Sequence, residues 1–234
     1  MKLALIGYGV MNQLVEKLAT AAGDEIGLKI NSRDEPMHAA VLGGSLYGKG
    51  HDVAIDFSVG PAVLRNIDAC ARAGIPLVEG TTGWLDREAE ARQLIEEHQG
   101  ALVYGANFSI GVNVFYRIAA EAAKLMAGLD QYQAFMEEEH HARKRDAPSG
   151  TALKLKDLLA EHIKTEIPIA SVRAGHIPGT HRVGFDSPAD QIMLTHTARS
   201  REGFAAGALV AARWIVERKG VYEFSEVIDE LLRT

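Results

Sequence analysis

Short apolar runs alternate with amphipathic segments along the first half of the chain. Runs typical of buried strands are KLALI at 2–6, EIGLKI at 25–30, VAIDF at 53–57, IPLVEG at 75–80 and ALVYG at 101–105. Between them, apolar residues recur at helical spacing, for example at Met11, Leu14, Val15, Leu18 and Ala19. Helices are also predicted from Pro61 to about Ala73 and over 85–98, and 31–50 is predicted to be mostly loop. This alternation predicts an α/β fold with a doubly wound, Rossmann-like parallel sheet.

The pattern changes near residue 110. A helix is predicted over 112–128, a strand over 131–139 and an amphipathic helix over 151–163. Three strands then come in succession without helices between them, at 167–175, 181–187 and 191–199. A helix over 203–220 and a short one from about Ser225 complete the chain. The run of strands predicts a second α+β domain with an open mixed or antiparallel sheet.

Composition and charge narrow the class of protein. The chain has 234 residues, 47% of them hydrophobic, which is enough for a folded core. A net charge of −6 argues against wholesale binding to nucleic acid or to an anionic membrane, and no apolar run reaches the ~20 residues of a membrane helix. Cys70 is the single cysteine, so an internal disulfide is excluded; together with the lack of a signal-peptide pattern, this predicts a cytoplasmic location.

The first candidate site is the glycine loop GYGVMN at 7–12, which comes after a strand and opens a helix. Glycines permit a tight turn and close approach to a pyrophosphate, and the helix N-terminus offers free N–H groups. Asn12 stands where the dinucleotide fingerprint has a third small residue, so we expect the helix to shift slightly outward. The alternative is a glycine-rich turn without a ligand.

The end of the second predicted strand bears on the choice of cofactor. An acidic residue that holds ribose hydroxyls is usual there, but this chain has Asn31, Ser32 and Arg33. Arg33 can pair with a 2′-phosphate and Ser32 can donate a hydrogen bond to it. The region therefore favours NADPH over NADH, and the alternative is a solvated polar loop.

The second candidate site is EEEHHARKRDAPSGT at 137–151. Histidine transfers protons near neutral pH, and Lys144 can stabilise or protonate a developing negative charge. Ser149, Gly150 and Thr151 open a helix, where hydroxyl and N–H groups can bind a carboxylate or phosphate. The alternatives are a plain helix cap and a solvated cluster of ions. Adjacent histidines rarely chelate one metal ion, so no metal is predicted, and His176, His181 and His196 are expected to be structural or exposed.

The block EEHHARKRDAPSGTA resembles the signature of the 4-hydroxy-tetrahydrodipicolinate reductase family, also called dihydrodipicolinate reductase. GYGVM, DFS, GTTG, ANFSIGVN, VRAGHIPGTH and THTARSREGFAAGA extend the resemblance along the chain. It implies that His140 donates or accepts a proton, that Lys144 is a second proton donor, and that His141, Ser149, Gly150 and Thr151 hold the substrate carboxylates. It also implies a cofactor site formed by Gly7, Tyr8, Gly9, Val10, Met11, Gly80, Thr81, Thr82, Ala106, Asn107, Phe108 and Ser109.

The resemblance carries further expectations. It implies a dinucleotide-binding domain at 1–110 and 202–234 and a substrate-binding and oligomerisation domain at 111–201. The implied reaction is the reduction of a small cyclic dicarboxylate with NADPH or NADH, in lysine and diaminopimelate biosynthesis, by a homotetramer. The competing hypothesis is a non-catalytic Rossmann protein that senses NAD(P), which would not need His140 and Lys144 beside an anion site.

Overall fold

A computed structural model of the chain describes residues 1–31 and 50–233, which divide into two compact units. The first unit comprises Met1–Ile110 and Glu202–Thr234, and the second comprises Gly111–Arg201. Ser32 and Arg33, which were predicted to contact the cofactor, lie outside the described residues. None of the described helices is long and apolar enough to cross a membrane.

The ten described strands form two sheets. Their bounds are β1 Lys2–Ile6, β2 Glu25–Ile30, β3 Val53–Asp56, β4 Leu77–Glu79, β5 Ala101–Tyr104, β6 Gln133–His140, β7 Ile169–Arg173, β8 Thr180–Asp186, β9 Gln191–Thr197 and β10 Gly220–Glu223. The first sheet has the order β10-β5-β4-β3-β1-β2 and is parallel throughout. The second has the order β7-β6-β8-β9 and is mixed. The predicted α/β class with a second, mixed sheet is confirmed.

Seven described α-helices accompany the sheets. They are α1 Val10–Ala21, α2 Val63–Ala73, α3 Glu88–Glu97, α4 Ile110–Met126, α5 Gly150–Ala160, α6 Glu202–Ile215 and α7 Phe224–Leu231. Short 3₁₀ helices at Gly60–Ala62 and Leu85–Arg87 precede α2 and α3.

One strand was not predicted from the sequence. The helix expected over 203–220 ends at Ile215, and Gly220–Glu223 forms β10 instead. These four residues pair with Ala101–Tyr104 of β5 at the edge of the parallel sheet. A run this short shows no alternation of its own, so the neighbouring strand decides its conformation.

The core of the first unit lies between the strands and the helices that cover them. Ile6, Ala54 and Leu77 come from three adjacent strands, are fully buried, and belong to one cluster with Ile67 of α2. Because both faces of the parallel sheet are covered, both sides of each strand are buried. The strand sequences are therefore continuous apolar runs.

The second unit places one face of its sheet against α4 and α5. Every second residue of β6 is buried, and Met136, Phe115, Leu155 and Val183 share one apolar cluster. The opposite face carries Phe135, Glu137, Glu139, Val172, Arg182 and Met193. Val172 is 47% exposed and Met193 is 38% exposed, so this second face is only partly covered.

Helix α6 packs very closely against its neighbour at Gly207. A Cβ atom there would lie 1.7 Å from the backbone oxygen of Phe108, whereas a Cβ at Gly203 of the same helix would meet nothing closer than Ser109 Oγ at 3.9 Å. Glycine at 207 therefore lets α6 pack directly against the segment after β5.

We expect Gly207→Ala to lower the free energy of unfolding by about 1–3 kcal/mol, because backbone has to move to admit the methyl group. Gly203→Ala is the matched control, and it should be neutral or raise stability by up to about 1 kcal/mol through helix propensity. Chemical denaturation monitored by circular dichroism measures both. Equal effects of the two substitutions would contradict this account of the packing.

Candidate active site

The glycine loop joins β1 to α1 with backbone that only glycine adopts readily. Gly7 has a φ of 75°, and a Cβ atom on it would lie 2.5 Å from the Cα of Ser58. The N-cap of α1 is Gly9, which has no side chain that could cap the first turn. The loop therefore lies close to the end of β3 and leaves first-turn N–H groups available to an anion.

Asn12 takes the place of a small residue by forming hydrogen bonds. Its side chain is fully buried, and Nδ2 donates to the carbonyl oxygens of Ile6 at 2.7 Å, Gly7 at 3.1 Å and Ile55 at 3.3 Å. The sequence led us to expect that Asn12 displaces the helix, whereas here its amide connects α1 to the ends of β1 and β3.

A pocket of about 330 Å³ opens at the carboxyl ends of the strands. The strand order reverses between β1 and β3, which is where open α/β sheets bind ligands. Four of the predicted cofactor residues line the pocket: Met11, Gly80, Thr81 and Thr82. The lining also includes Phe57, Ser58, Val59 and Gly60, which are not among the residues predicted from the sequence. Their position directly after a buried strand was the signal that could have identified them.

The remaining predicted cofactor residues have varied surroundings. The hydroxyl of Tyr8 contacts Glu16, while Gly9 and Val10 are exposed. Ala106 is exposed, and the side chain of Asn107 accepts a hydrogen bond from the N–H of Ser109 at 2.9 Å.

The side chain of Phe108 is not available to a cofactor. It is 2% exposed and packs against Phe57 and Phe224, so the ring cannot contact a ligand.

The second unit contains a buried ion pair at the end of β6. His140 is the last residue of the strand, and its Nδ1 contacts Oε2 of Glu138. Arg173, at the end of β7, donates from Nη2 to Oε1 of Glu138 at 2.7 Å and to the backbone oxygen of Asp146. Glu138 therefore lies between a histidine and an arginine, and it was absent from the predicted site.

His181 extends this cluster to the start of α5. Its ring lies 5.1 Å from that of His140 between centroids, and its Nε2 is 3.1 Å from Oγ of Ser149. Ser149 also caps α5, accepting from the N–H of Ala152 at 3.2 Å. His181 was expected to be structural or exposed; it is buried, and antiparallel pairing sets it opposite Glu138 on β6. His176 is exposed, and His196 packs against Phe115.

The other predicted site residues surround the cluster. Nζ of Lys144 lies 2.8 Å from Oδ2 of Asp146, and the side chain of Lys144 is 25% exposed. His141 is half-buried and comes directly after the last residue of β6. Gly150 and Thr151 form the first turn of α5, the former exposed and the latter half-buried.

Burial and charge set the proton affinities of the cluster. Burial lowers the pKa of His140, as do the charges of Lys144 and Arg173, whereas Glu138 opposes the shift. Burial and the charge of His140 lower the pKa of His181 to about 4. Burial tends to raise the pKa of Glu138, but Arg173 and the other partners outweigh it, and the pKa is lowered. Glu138 is therefore ionised and His181 neutral at neutral pH.

Glu138, His140 and His181 also have ligand atoms within 4.8 Å of one another, a spacing that suits a metal ion. Both oxygens of Glu138 already contact cationic or proton-donating groups, namely Arg173 and His140. A cation would have to displace these contacts beside a buried guanidinium, so we interpret the cluster as a site of proton transfer.

A glycine loop at the switch point of a parallel sheet, in a chain with a buried histidine beside a capped helix start, is typical of nicotinamide-dependent oxidoreductases. Two family models match the chain: "Dihydrodipicolinate reductase, N-terminus" over residues 1–108 and "Dihydrodipicolinate reductase, C-terminus" over 111–228. The chain therefore belongs to the dihydrodipicolinate reductase family.

Curated relatives agree with this assignment, and a solved structure shares the fold. The 4-hydroxy-tetrahydrodipicolinate reductase of Christiangramia forsetii is 40% identical over 245 aligned positions that cover both chains completely. The enzyme of that name from Methanosarcina barkeri is 40% identical over 194 positions, 76% of this chain and 73% of the relative. A dipicolinate-bound dihydrodipicolinate reductase from Paenisporosarcina sp. TG-14 shares the fold, with a TM-score of 0.78 and 20% identity over 95% of this chain and 97% of the other.

We expect Glu138→Gln to lower the pKa of His140 further, because the carboxylate is what opposes burial and the nearby positive charges. NMR titration of the His140 ring protons measures the pKa in both proteins. Glu137→Gln is the matched control, because Glu137 is on the opposite face of β6 and should leave this pKa unchanged. A pKa of His140 that stays constant or rises in Glu138→Gln would contradict the assigned ion pair.

Proposed function

We propose that this chain catalyses the NAD(P)H-dependent reduction of 4-hydroxy-tetrahydrodipicolinate to tetrahydrodipicolinate, in lysine and diaminopimelate biosynthesis. The observation that carries the proposal is the cluster in the second unit, where a buried histidine in contact with Glu138 adjoins the capped start of α5. A sensor that only binds a nucleotide has no need for this arrangement. The relatives that match across the whole length of the chain bear the name of the same reaction.

The first unit, at 1–110 and 202–234, is proposed as the dinucleotide-binding domain. Gly7 leaves room where a Cβ would collide with the backbone at Ser58, and the first-turn N–H groups of α1 suit a pyrophosphate. The pocket lined by Met11, Gly80 and Thr81 adjoins this loop. When bound, the reduced nicotinamide cofactor supplies a hydride to the substrate.

The remaining cofactor contacts are proposed from their positions in the first unit. Tyr8, Gly9, Val10 and Thr82 lie along the loop and the pocket, and Ala106, Asn107, Phe108 and Ser109 come after β5 at the same edge of the sheet. For Phe108, the buried ring restricts this role to the backbone.

The second unit, at 111–201, is proposed to bind the dicarboxylate. Ser149, Gly150 and Thr151 place hydroxyl and N–H groups at the start of α5, where the helix dipole favours an anion. Lys144 adds a positive charge on the segment that leads to this helix, and His141 adds a further donor when protonated. In this arrangement the helix start binds one carboxylate of the substrate, and the cationic side chains bind the second.

His140 is proposed to hold and move the proton at Nε2. Its Nδ1 contacts the carboxylate of Glu138, which leaves Nε2 as the atom that exchanges a proton. Gly179 keeps the space beside this atom open, because a Cβ there would lie 3.2 Å from Nε2. Lys144 is the second proposed proton donor, and its ion pair with Asp146 keeps it positioned. Donation from either group neutralises the negative charge that develops on the reduced ring.

Reduction with NADPH is expected to have the lower KM, because Arg33 and Ser32 suit a 2′-phosphate and Asn31 stands where the sequence of an NAD-binding fold usually has an acidic residue. NADH is expected to serve as well. The cytoplasm remains the proposed location, because the single Cys70 fits a reducing compartment.

The assay that tests the function measures the oxidation of NADPH and NADH by the purified protein, with substrate generated in situ by the preceding synthase. We expect turnover with both cofactors, and a loss of about 10²–10⁴-fold in kcat/KM for Lys144→Ala. Lys164→Ala is the control, because Lys164 donates to the carbonyl oxygen of Glu161 at the C-terminal end of α5, opposite the proposed anion site. Tight binding of a nucleotide without turnover would overturn the proposal in favour of a sensor.

We also propose that four copies assemble through the second unit. On the partly exposed face of its sheet, Phe135, Val172 and Met193 offer apolar surface beside the ion pairs of Arg182 with Glu137 and Glu139, and this combination suits a contact between copies. Light scattering should then give about four times the chain mass of 25.3 kDa. Val172→Asp should reduce this mass, whereas Leu231→Asp on α7 should not. A monomeric wild-type protein would exclude the assembly.

A further inference from the structure

Two carboxyl groups are buried together beneath the pocket of the first unit. Asp56 ends β3 and Glu79 ends β4, and parallel pairing sets the two residues side by side. Both are fully buried, and they are direct partners in the register of β3 and β4. Two ionised carboxylates on neighbouring buried strand ends would repel each other strongly, so we infer that the pair holds at least one proton.

Each carboxyl group also holds one of the two loops that line the pocket. Oδ1 of Asp56 accepts from the N–H of Ser58 at 2.7 Å, and Oε1 of Glu79 accepts from the N–H of Thr81 at 2.7 Å. Asn66 of α2 donates to Oδ2 of Asp56 and to Oγ of Ser58. The second oxygen of Glu79, Oε2, is buried without a donor among the described residues, as expected for an oxygen that carries or shares the proton.

We propose that Asp56 and Glu79 form a positioning pair for the dinucleotide, in which one shared proton lets both carboxyl groups hold the Ser58 and Thr81 loops in their binding geometry. This inference rests on the proposed dinucleotide site. When the last proton leaves, two adjacent negative charges repel each other beneath the pocket, and they also repel the anionic cofactor. Binding of the cofactor and retention of the proton therefore favour each other.

The surroundings of the pair support retention of the proton near neutral pH. Burial raises the pKa of both groups, and for Glu79 the charge of Asp56 adds to the shift. The neighbouring elements contribute Cys70 from α2 and Tyr104 from β5. Burial and the two acids raise the pKa of Cys70, so it stays a neutral thiol, and the hydroxyl of Tyr104 donates to Glu88 and is also neutral. Neither group brings a positive charge that would stabilise the doubly ionised pair.

The test measures the Kd of NADPH by fluorescence titration from neutral to alkaline pH. In the wild-type protein the Kd should rise as the pair loses its proton, because the protonated form binds more tightly. Glu79→Gln keeps a donor and an acceptor in place but has no proton to lose, so its Kd should stay nearly constant. We expect the wild-type Kd to exceed that of Glu79→Gln by at least about 5-fold at the alkaline end. Glu96→Gln, an exposed carboxylate on α3, is the matched control and should behave as wild type.

A purely structural role for the pair would change the melting temperature of Glu79→Gln but leave the slope of Kd against pH as in the wild type, and that result would overturn the inference. If Glu79→Gln does not fold, Asp56→Asn provides the same comparison from the other side of the pair.

Calorimetry of the wild-type protein in two buffers of different ionisation enthalpy adds a measurement without mutation. Uptake of protons on NADPH binding at alkaline pH supports the pair, and binding without uptake contradicts it. A wild-type protein that binds neither NADPH nor NADH would instead overturn the proposed function.

Discussion

The parallel register of β1, β3, β4 and β5 is the constraint on which the first unit depends. Each strand reaches the same edge of the sheet, so Ile6, Asp56, Glu79 and Tyr104 lie in one row. The loops that leave these strands are thereby brought together, although they are far apart in the sequence. The glycine loop can then lie against Ser58 only because Gly7 has no Cβ, and Asn12 fixes α1 to the same edge through its amide. The pocket is thus a consequence of strand pairing rather than of any single motif.

In the second unit, an antiparallel strand pairing brings the site residues together. β8 returns along β6 and places His181 opposite Glu138, on the buried face that also carries His140. Glu138 is a buried carboxylate, so its charge is stable there only with Arg173 and His140 as partners. Because Glu138 needs both partners, the contact between the ends of β6 and β7 also influences the pKa of His140. The cap of α5 joins the cluster through Ser149 and His181, so the proposed anion site and the proposed proton donor share one set of contacts.

Much of the fold was predictable, and the reasons differ between elements. The strands of the parallel sheet were predicted because burial on both faces leaves continuous apolar runs, and the three consecutive strands after residue 167 indicated the second sheet. β10 was missed, since GVYE is too short to carry a pattern and is a strand only through its pairing with β5. In the sites, His140, Lys144 and Ser149 stood out because they are close together in sequence. Glu138 was not predicted as a site residue, although it is adjacent to them, because it is one of three similar glutamates.

The sequence by itself determined the class of fold, the position of the glycine loop and the block of proton-transfer and anion-binding residues, because each is a local pattern of residue types. The resemblance carried by that block also identified the family. Only the tertiary structure decided which glutamate pairs with His140, that His181 joins the cluster, and that Asp56 lies against Glu79. Some of these contacts join residues that are far apart in the sequence, such as Glu138 and His181. They depend on strand order and register, and no local pattern along one chain specifies which two strands become neighbours.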